Sequence, residues 1–242
     1  AAIQAKNEVW NCTVRPSDQI AAGNQNSTTK TIVNSAPPNV SLSSPANLNT
    51  TTNRTPMFEW TNVTDPDGDA LNFTINITCK GGCSADNRFV NVTNNSYVVP
   101  STNYLRYFGD DNFYYTWSVF AHDGNLMSSE SEYRNITINT LVDISLGNAS
   151  MNFGSMAPGS SDDTTDSNPQ TLNISNDGNS MVDVNVSGTP LFIATNGNGL
   201  YQYKVANTTE HGSFKWSKSN TTFTNITSTS NITIGDLNYT DL

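Results

Sequence analysis

Three aspartates stand at alternate positions in the run Thr64-Asp65-Pro66-Asp67-Gly68-Asp69. Carboxylates at that spacing on a tight Pro/Gly turn match the first three ligands of an oxygen-rich calcium loop. The loop is not an EF-hand: twelve residues from Asp65 stands Asn76 rather than Glu, and the glycine is misplaced. The same residues also suit a plain Asx turn that needs no ion, and both readings stay open at this level. Further on, Cys79-Lys80-Gly81-Gly82-Cys83 carries two glycines that let a short loop close, so an oxidising compartment would make the pair a local disulfide. Neither a second thiol pair nor a histidine cluster accompanies it, which makes it a poor metal site. Cys12 is the odd cysteine, and its partner is expected outside the chain.

A second chemistry is spread along the whole sequence. The acceptor pattern N-x-S/T occurs at Asn11, Asn26, Asn39, Asn49, Asn53, Asn62, Asn72, Asn76, Asn91, Asn94, Asn135, Asn148, Asn173, Asn185, Asn207, Asn220, Asn225, Asn231 and Asn238. Random order of the same residues would give about eight such sites. Fourteen of the nineteen end in Thr although Ser is nearly as abundant, the bias that acceptors of N-linked glycans would show. The competing reading is that Asn and Thr two apart decorate the solvent face of a strand, as in Asn72, Thr74, Asn76 and Thr78. Either reading places the chain outside the cell.

Catalytic patterns are scarce. The two histidines, His122 and His211, belong to no metalloprotease motif, and the chain has no nucleophile elbow, phosphate-binding loop or dinucleotide fingerprint. The sequence reads as a non-enzyme. Aromatic residues crowd positions 104 to 120; Tyr115 and Trp117 are expected in a core, whereas Tyr114 and Phe120 alternate outward and could stack on sugars or on a neighbouring subunit.

Composition sets the elements that must carry these groups. Of 242 residues, 35 are Asn, 27 Ser and 31 Thr, while helix formers are few, so a helical bundle or a doubly wound α/β enzyme is excluded. The net charge of −10, with only 11 Lys and Arg, argues against nucleic acid and against acidic lipid as partners. No stretch approaches the ~18 apolar residues of a membrane span. The first residue is Ala1 rather than Met, which reads as a processed or excised piece of a larger product.

Residues 37 to 140 predict one antiparallel β domain. Val40 and Leu42 start a strand that Pro45 stops, and Met57, Phe58 and Trp60 form the next. Phe73, Ile75, Ile77 and Cys79 then alternate with Asn72, Thr74, Asn76 and Thr78. Tyr115, Trp117, Val119 and Ala121 point inward on a later strand that ends at Asp123-Gly124, and the chain returns through Ile136 and Ile138. Turn signals every ten or so residues are those of a β-sandwich. Residues 1 to 34 repeat the end of that pattern: Trp10-x-Cys12-x-Val14-x-Pro16-x-Asp18 aligns with Tyr115 to Asp123, and Thr31 to Val33 with the last strand. They read as the final hairpin of an incomplete preceding sandwich, and as a possible strand donor to another subunit. Residues 141 to 242 predict a second β unit, with strands at Val142 to Leu146, Leu172 to Ile174, Val182 to Val186, Leu191 to Ile193 and Tyr201 to Val205, and with its last strands missing.

The run from Tyr115 to Gly124, with Ser128 to Ser131 after it and Trp60 on an early strand, resembles a fibronectin type III domain over about 104 residues. The resemblance implies that Trp117 is core and that Tyr115 forms the tyrosine corner. Thr64 to Leu71 is similar to the tandem immunoglobulin-like and cadherin-like repeats of microbial, especially archaeal, surface proteins. In that topology the Asp65 turn and the Asp123 loop share one pole, so Asp123 would complete a calcium site with Asp65, Asp67 and Asp69. The words Asn152-Phe153-Gly154, Ala157-Pro158-Gly159 and Asn176-Asp177-Gly178-Asn179 resemble a sandwich module of archaeal envelope proteins.

The fold class expected is all-β: tandem antiparallel β-sandwiches of fibronectin type III or immunoglobulin-like type, without significant helix. The function expected is that of an extracellular, cell-surface structural glycoprotein carrying N-linked glycans and, at the acidic turn, calcium. It would be a subunit of a filament or surface layer whose partners are copies of itself or neighbouring surface proteins, joined by strand exchange. The alternative is an adhesin stalk or a carbohydrate-binding accessory module of a larger secreted protein.

Overall fold

The computed structural model describes residues 6–164, 169–188, 202–206, 213–228 and 231–239. The chain forms two units, Ala1–Asn139 and Thr140–Leu242.

The first unit opens with a hairpin of β1 (Val9–Val14) and β2 (Asn26–Thr31). The sandwich follows: β3 (Leu42–Ser44), β4 (Asn49–Thr51), β5 (Met57–Trp60), β6 (Asn72–Lys80), β7 (Arg88–Val92), β8 (Ser96–Val98), β9 (Tyr114–His122) and β10 (Arg134–Ile138). One sheet has the order β3-β5-β8 and the other β4-β10-β9-β6-β7. In sandwich nomenclature these are strands A-B-E against A′-G-F-C-C′, the immunoglobulin-like arrangement.

Period-2 alternation decides the two long central strands. β6 and β9 pair antiparallel along nine residues, and Phe73, Ile75, Ile77, Tyr115, Trp117, Val119 and Ala121 all face the opposite sheet and are buried. Phe58 and Trp60 come across from β5; the Phe58 and Trp117 rings meet edge-on at 4.9 Å, and Trp60 lies 5.7 Å from Phe73. Pro45 ends β3 as expected, but the chain does not turn away. It crosses to the other sheet and runs as β4, parallel to β10, with Asn49, Thr50 and Thr51 opposite Ile136, Thr137 and Ile138. The long loop between β9 and β10 is held by two serines. The backbone N–H of Val119 donates to the Ser131 hydroxyl and that of Ala121 to the Ser128 hydroxyl, each at 2.9 Å, before regular pairing with β10 begins.

The second unit is also all β. β11 (Ile144–Asn148) pairs with β12 (Asn173–Asn176), β13 (Val182–Val186) with β16 (Asn231–Leu237), and β14 (Gln202–Tyr203) with β15 (Thr224–Asn225), all antiparallel. Phe214, Ile234 and Leu237 form its core, with Ile174, Val182, Val184 and Val205 packed against them. The run Asn176 to Asn179 closes a turn by its buried amides. Asn176 donates to the Ser180 and Leu237 carbonyls at 2.8 and 3.0 Å, and the Asn179 side-chain oxygen accepts from Leu141 N–H at 2.8 Å. The strand expected at Leu191 to Ile193 lies outside the described residues.

Candidate functional site

The acidic turn lies between β5 and β6. Asp65 is buried, and its Oδ1 accepts the backbone N–H groups of Asp67 (2.9 Å) and Asp69 (3.3 Å). The Gly68 N–H returns to the Asp65 carbonyl at 3.1 Å, with Gly68 at φ +81°, the left-handed conformation that a Cβ would strain. This is an Asx turn built on Asp65, and it leaves the carboxylates of Asp67 and Asp69 turned to other partners.

Those partners come from the segments flanking the first hairpin. Asp69 forms an ion pair with Lys6, and Asp67 accepts the Ser35 N–H at 2.6 Å. Asp123, on the loop after β9, accepts the Asn34 side-chain amide at 2.7 Å and, through its other oxygen, the N–H groups of Asn125 and Leu126 at 2.7 Å each. The four aspartates therefore sit on the loops that hold the N-terminal segment to the sandwich. The hydrogen bond to Asp69, and the charges of Asp69, Asp123 and Asp65, raise the Lys6 ammonium pKa above its ordinary value. The backbone donors Leu126 and Asn125 hold the Asp123 carboxyl below the ordinary carboxylate value.

The cation that Asp69 faces is thus the Lys6 ammonium, while Asp67 and Asp123 accept neutral N–H donors. Among the described residues no three His, Cys, Asp or Glu side chains form a group that could hold a metal ion. A calcium cage takes six to eight oxygens. At this pole Asp65 Oδ2 and Asn34 Oδ1 are buried oxygens without a hydrogen-bond partner.

Cys79 and Cys83 are joined by a disulfide at the end of β6, both buried against the sandwich core. Cys12 is a free thiol, exposed on β1.

Tyr115 is fully buried near the start of β9. Its hydroxyl donates to Asp86 Oδ2 at 2.5 Å and accepts the N–H groups of Arg106 (3.0 Å) and Tyr107 (3.1 Å). Asp86 is in turn paired with buried Arg88 at 2.6 Å, whose guanidinium also donates to the Asn103 and Tyr104 carbonyls. A hydroxyl at the start of strand F, tied to backbone a few residues upstream, is a tyrosine corner. Sequence reasoning missed Asp86 and Arg88 as its partners. The only signal was a charged pair two apart in a segment otherwise poor in charge.

The glycan acceptors are distributed over both units. Asn207 and the Asn231 side chain lie outside the described residues. Of the other seventeen, none is buried: Asn11, Asn26, Asn39, Asn53, Asn62, Asn91, Asn94, Asn173, Asn185, Asn225 and Asn238 are exposed, and Asn49, Asn72, Asn76, Asn135, Asn148 and Asn220 are half-buried. Buried Asn176 and Asn179 are not acceptors. The outer face of the five-stranded sheet also bears Tyr114, Phe120 and Phe89. Tyr114 and Phe89 are exposed, and Phe120 is half-buried opposite Thr74. His122 ends β9, half-buried, and His211 lies outside the described residues. No described helix is long and apolar enough to cross a membrane.

No family model matches the chain, and no curated protein does. Among solved structures it is similar to the FN1–FN3 domains of chicken CNTN1, at 17% identity and a TM-score of 0.31, over 58% of this chain and 49% of that one. It is also similar to three consecutive domains of titin, at 16% identity and a TM-score of 0.29, over 49% of this chain and 39% of that one. The chain thus spans about half or less of the length of the structures it matches.

Proposed function

We propose that this chain is an extracellular structural glycoprotein of a microbial, archaeal-type cell surface, a subunit of a filament or surface layer built from β-sandwich units. The observation that carries the reading is where the acceptor asparagines stand. The chain holds about twice the number that its composition gives at random, and every described one reaches solvent while the buried asparagines are not acceptors. Glycans on such a surface shield much of it and leave the unmodified patches as the places where subunits meet. A buried aromatic core, a tyrosine corner and a disulfide suit a load-bearing module.

Immunogold electron microscopy of source cells, with an antibody against residues 141–242, tests the assembly. Glycopeptide mass spectrometry of the same material tests the modification. Gold spaced regularly along fibres or a lattice, with several acceptors modified, is the expected result. Sparse gold and unmodified peptides overturn the reading. The outward aromatics Tyr114, Phe120 and Phe89 favour a second reading, an adhesin stalk or carbohydrate-binding module. Glycan-array binding lost in Tyr114→Ala or Phe120→Ala would support that one instead.

A further inference from the structure

Phe89 is the most exposed aromatic side chain among the described residues, at 70%, and it stands on β7. β7 is the last strand of the five-stranded sheet, hydrogen-bonded to β6 alone among the described strands. Val90 and Val92 pack against the sandwich core, which turns Phe89 and Asn91 together to the outer face. A large apolar ring on an exposed edge strand is a liability that folded sheets cover. The residues around it say what the cover is.

Two glycan acceptors flank the ring, and their hydrogen bonds separate them. Asn76 lies directly across from Phe89 on β6. Its Oδ1 accepts the Thr78 hydroxyl at 3.0 Å, and its amide nitrogen donates to Glu130, a carboxylate that also accepts the Ser118 hydroxyl at 2.5 Å. The atom to which a glycan would be joined is therefore already engaged. Asn91 is exposed and is held by its other atom: Oδ1 accepts the Thr74 hydroxyl at 2.5 Å, while Nδ2 makes no hydrogen bond. That bond turns Oδ1 across the sheet to β6 and leaves Nδ2 free for a sugar.

The acceptor Asn91-Val92-Thr93 begins two residues after Phe89. Strand rise puts two such positions about 6.6 Å apart on one face, a span that a single sugar linked at Nδ2 covers. A pyranose presents a face of C–H groups with partial positive charge, and the face of an aromatic ring is negative, so the two attract while both leave water. The tether holds the sugar at the ring, which makes the contact intramolecular and removes most of the entropic cost of association.

We propose that the first sugar of an N-linked glycan on Asn91 folds back along β7 and stacks on the Phe89 ring. The ligand of this aromatic platform is a pyranose carried by the chain itself, and the stacked sugar covers the outer face of the exposed edge strand. The inference rests on the reading of the chain as a glycoprotein, and it names the acceptor whose glycan is part of the fold.

Glycopeptide mass spectrometry of the chain from native cells is the first test. Asn91 bare beside other modified acceptors overturns this proposal and leaves the glycoprotein reading standing; no modified acceptor at all overturns that reading, and this inference with it. The stacking is read on the full chain from an N-glycosylating host, by comparing the parent, Thr93→Ala, Phe89→Val and the double variant. Thr93→Ala removes the acceptor while Asn91 keeps its bond to Thr74. Phe89→Val removes the ring, suits a strand, and avoids the new acceptor that Ser or Thr after Asn87-Arg88 would create. In urea unfolding, loss of the glycan should lower the folding equilibrium constant about threefold to tenfold beside Phe89, as for an aromatic pair, and less than about twofold in the Phe89→Val background. In proton NMR the C–H resonances of the first sugar should lie upfield in the parent, return in Phe89→Val and stay upfield in Phe89→Trp. Equal losses in the two backgrounds, or sugar resonances indifferent to the ring, overturn the proposal.

Discussion

Tyr115→Phe isolates the corner that ties strand β9 to the loop before it. The substitution keeps the ring, which is fully buried, and deletes only the hydroxyl. Three bonds go: one donated to the Asp86 carboxylate and two accepted from Arg106 and Tyr107. The Arg106 N–H keeps Asp86 Oδ2 at 3.0 Å, and Asp86 keeps Arg88, so the losses that count are the bond to the carboxylate and the acceptor for Tyr107. A bond to a charged group contributes about 1.5–3 kcal/mol and a neutral one about 1, so with partial relaxation the expected loss is about 2–3 kcal/mol. Urea unfolding followed by Trp60 and Trp117 fluorescence, with Trp10→Phe and Trp216→Phe removing the other two tryptophans, reads it directly. With a slope of about 1.5 kcal/mol/M the midpoint falls by about 1.3–2 M. Tyr114→Phe, on the outer face, is the control and stays within about 0.5 kcal/mol. Alkaline titration gives a second readout. Burial, then the hydrogen bond to Asp86, push the Tyr115 hydroxyl well above its ordinary value of 10.0. A pKa raised on folding gives stability that is complete below the unfolded value and lost as pH rises towards the folded one. The parent should therefore lose stability above about pH 10 by a component that Tyr115→Phe lacks. A loss below 1 kcal/mol, with an unchanged alkaline slope, would refute the corner as a stabilising unit.

The equivalent aspartates of the two hairpin turns respond to acid together. The Asp123 carboxyl is held below 3.8 by the Leu126 and Asn125 N–H groups, and the Asp18 carboxyl by those of Ala21 and Ile20. A depressed folded value means the stabilisation is present above the unfolded value and lost as pH falls through the folded one. The amide resonances of Leu126 and Ala21 should thus hold steady from pH 7 to about 4 and move only below it; movement near pH 6 contradicts the assignment. Replacing Cys79 and Cys83 together by Ser removes a five-residue closed loop, which in the chain-entropy account costs about 2 kcal/mol, measured as a lower urea midpoint of the first unit. Glycopeptide mass spectrometry should find Asn53, Asn62 and Asn91 occupied and Asn148 and Asn220 bare. The amide nitrogens of the last two are already donating, to the Gln170 and Thr171 carbonyls and to the Tyr203 hydroxyl. Full occupancy of Asn148 would show that the β11–β12 edge opens before modification.

Much of the sandwich was legible because its physics is local. Alternation along Asn72–Lys80 and Tyr114–His122 assigns the side chains of the two central strands to faces, and every apolar residue expected inward is buried, while Thr74 and Ser118 on the other face are buried as well. Pro45 announced the end of a strand but not that the chain would cross to the other sheet as β4, since a proline removes one donor without saying which edge the chain joins next. The acidic pole was half legible. The spacing of Asp65, Asp67 and Asp69 revealed a turn rich in carboxylates, and the resemblance to a fibronectin type III topology implied that Asp123 lies at the same pole. Lys6 and Asn34 reach it across 63 and 89 positions, a distance that no periodicity encodes. The Asp86–Arg88–Tyr115 network was hidden for the same reason.

By itself the sequence determined the fold class, the strand faces, the acceptor asparagines and the repeat of one hairpin, because each depends on residue type and spacing within a few turns of chain. Tertiary structure alone decided that Asp69 meets Lys6, which asparagines reach solvent, and that Trp10 and Val14 of the repeated hairpin stay exposed. Those outcomes depend on what the folded chain brings alongside, and burial and charge pairing are properties of neighbours rather than of residues.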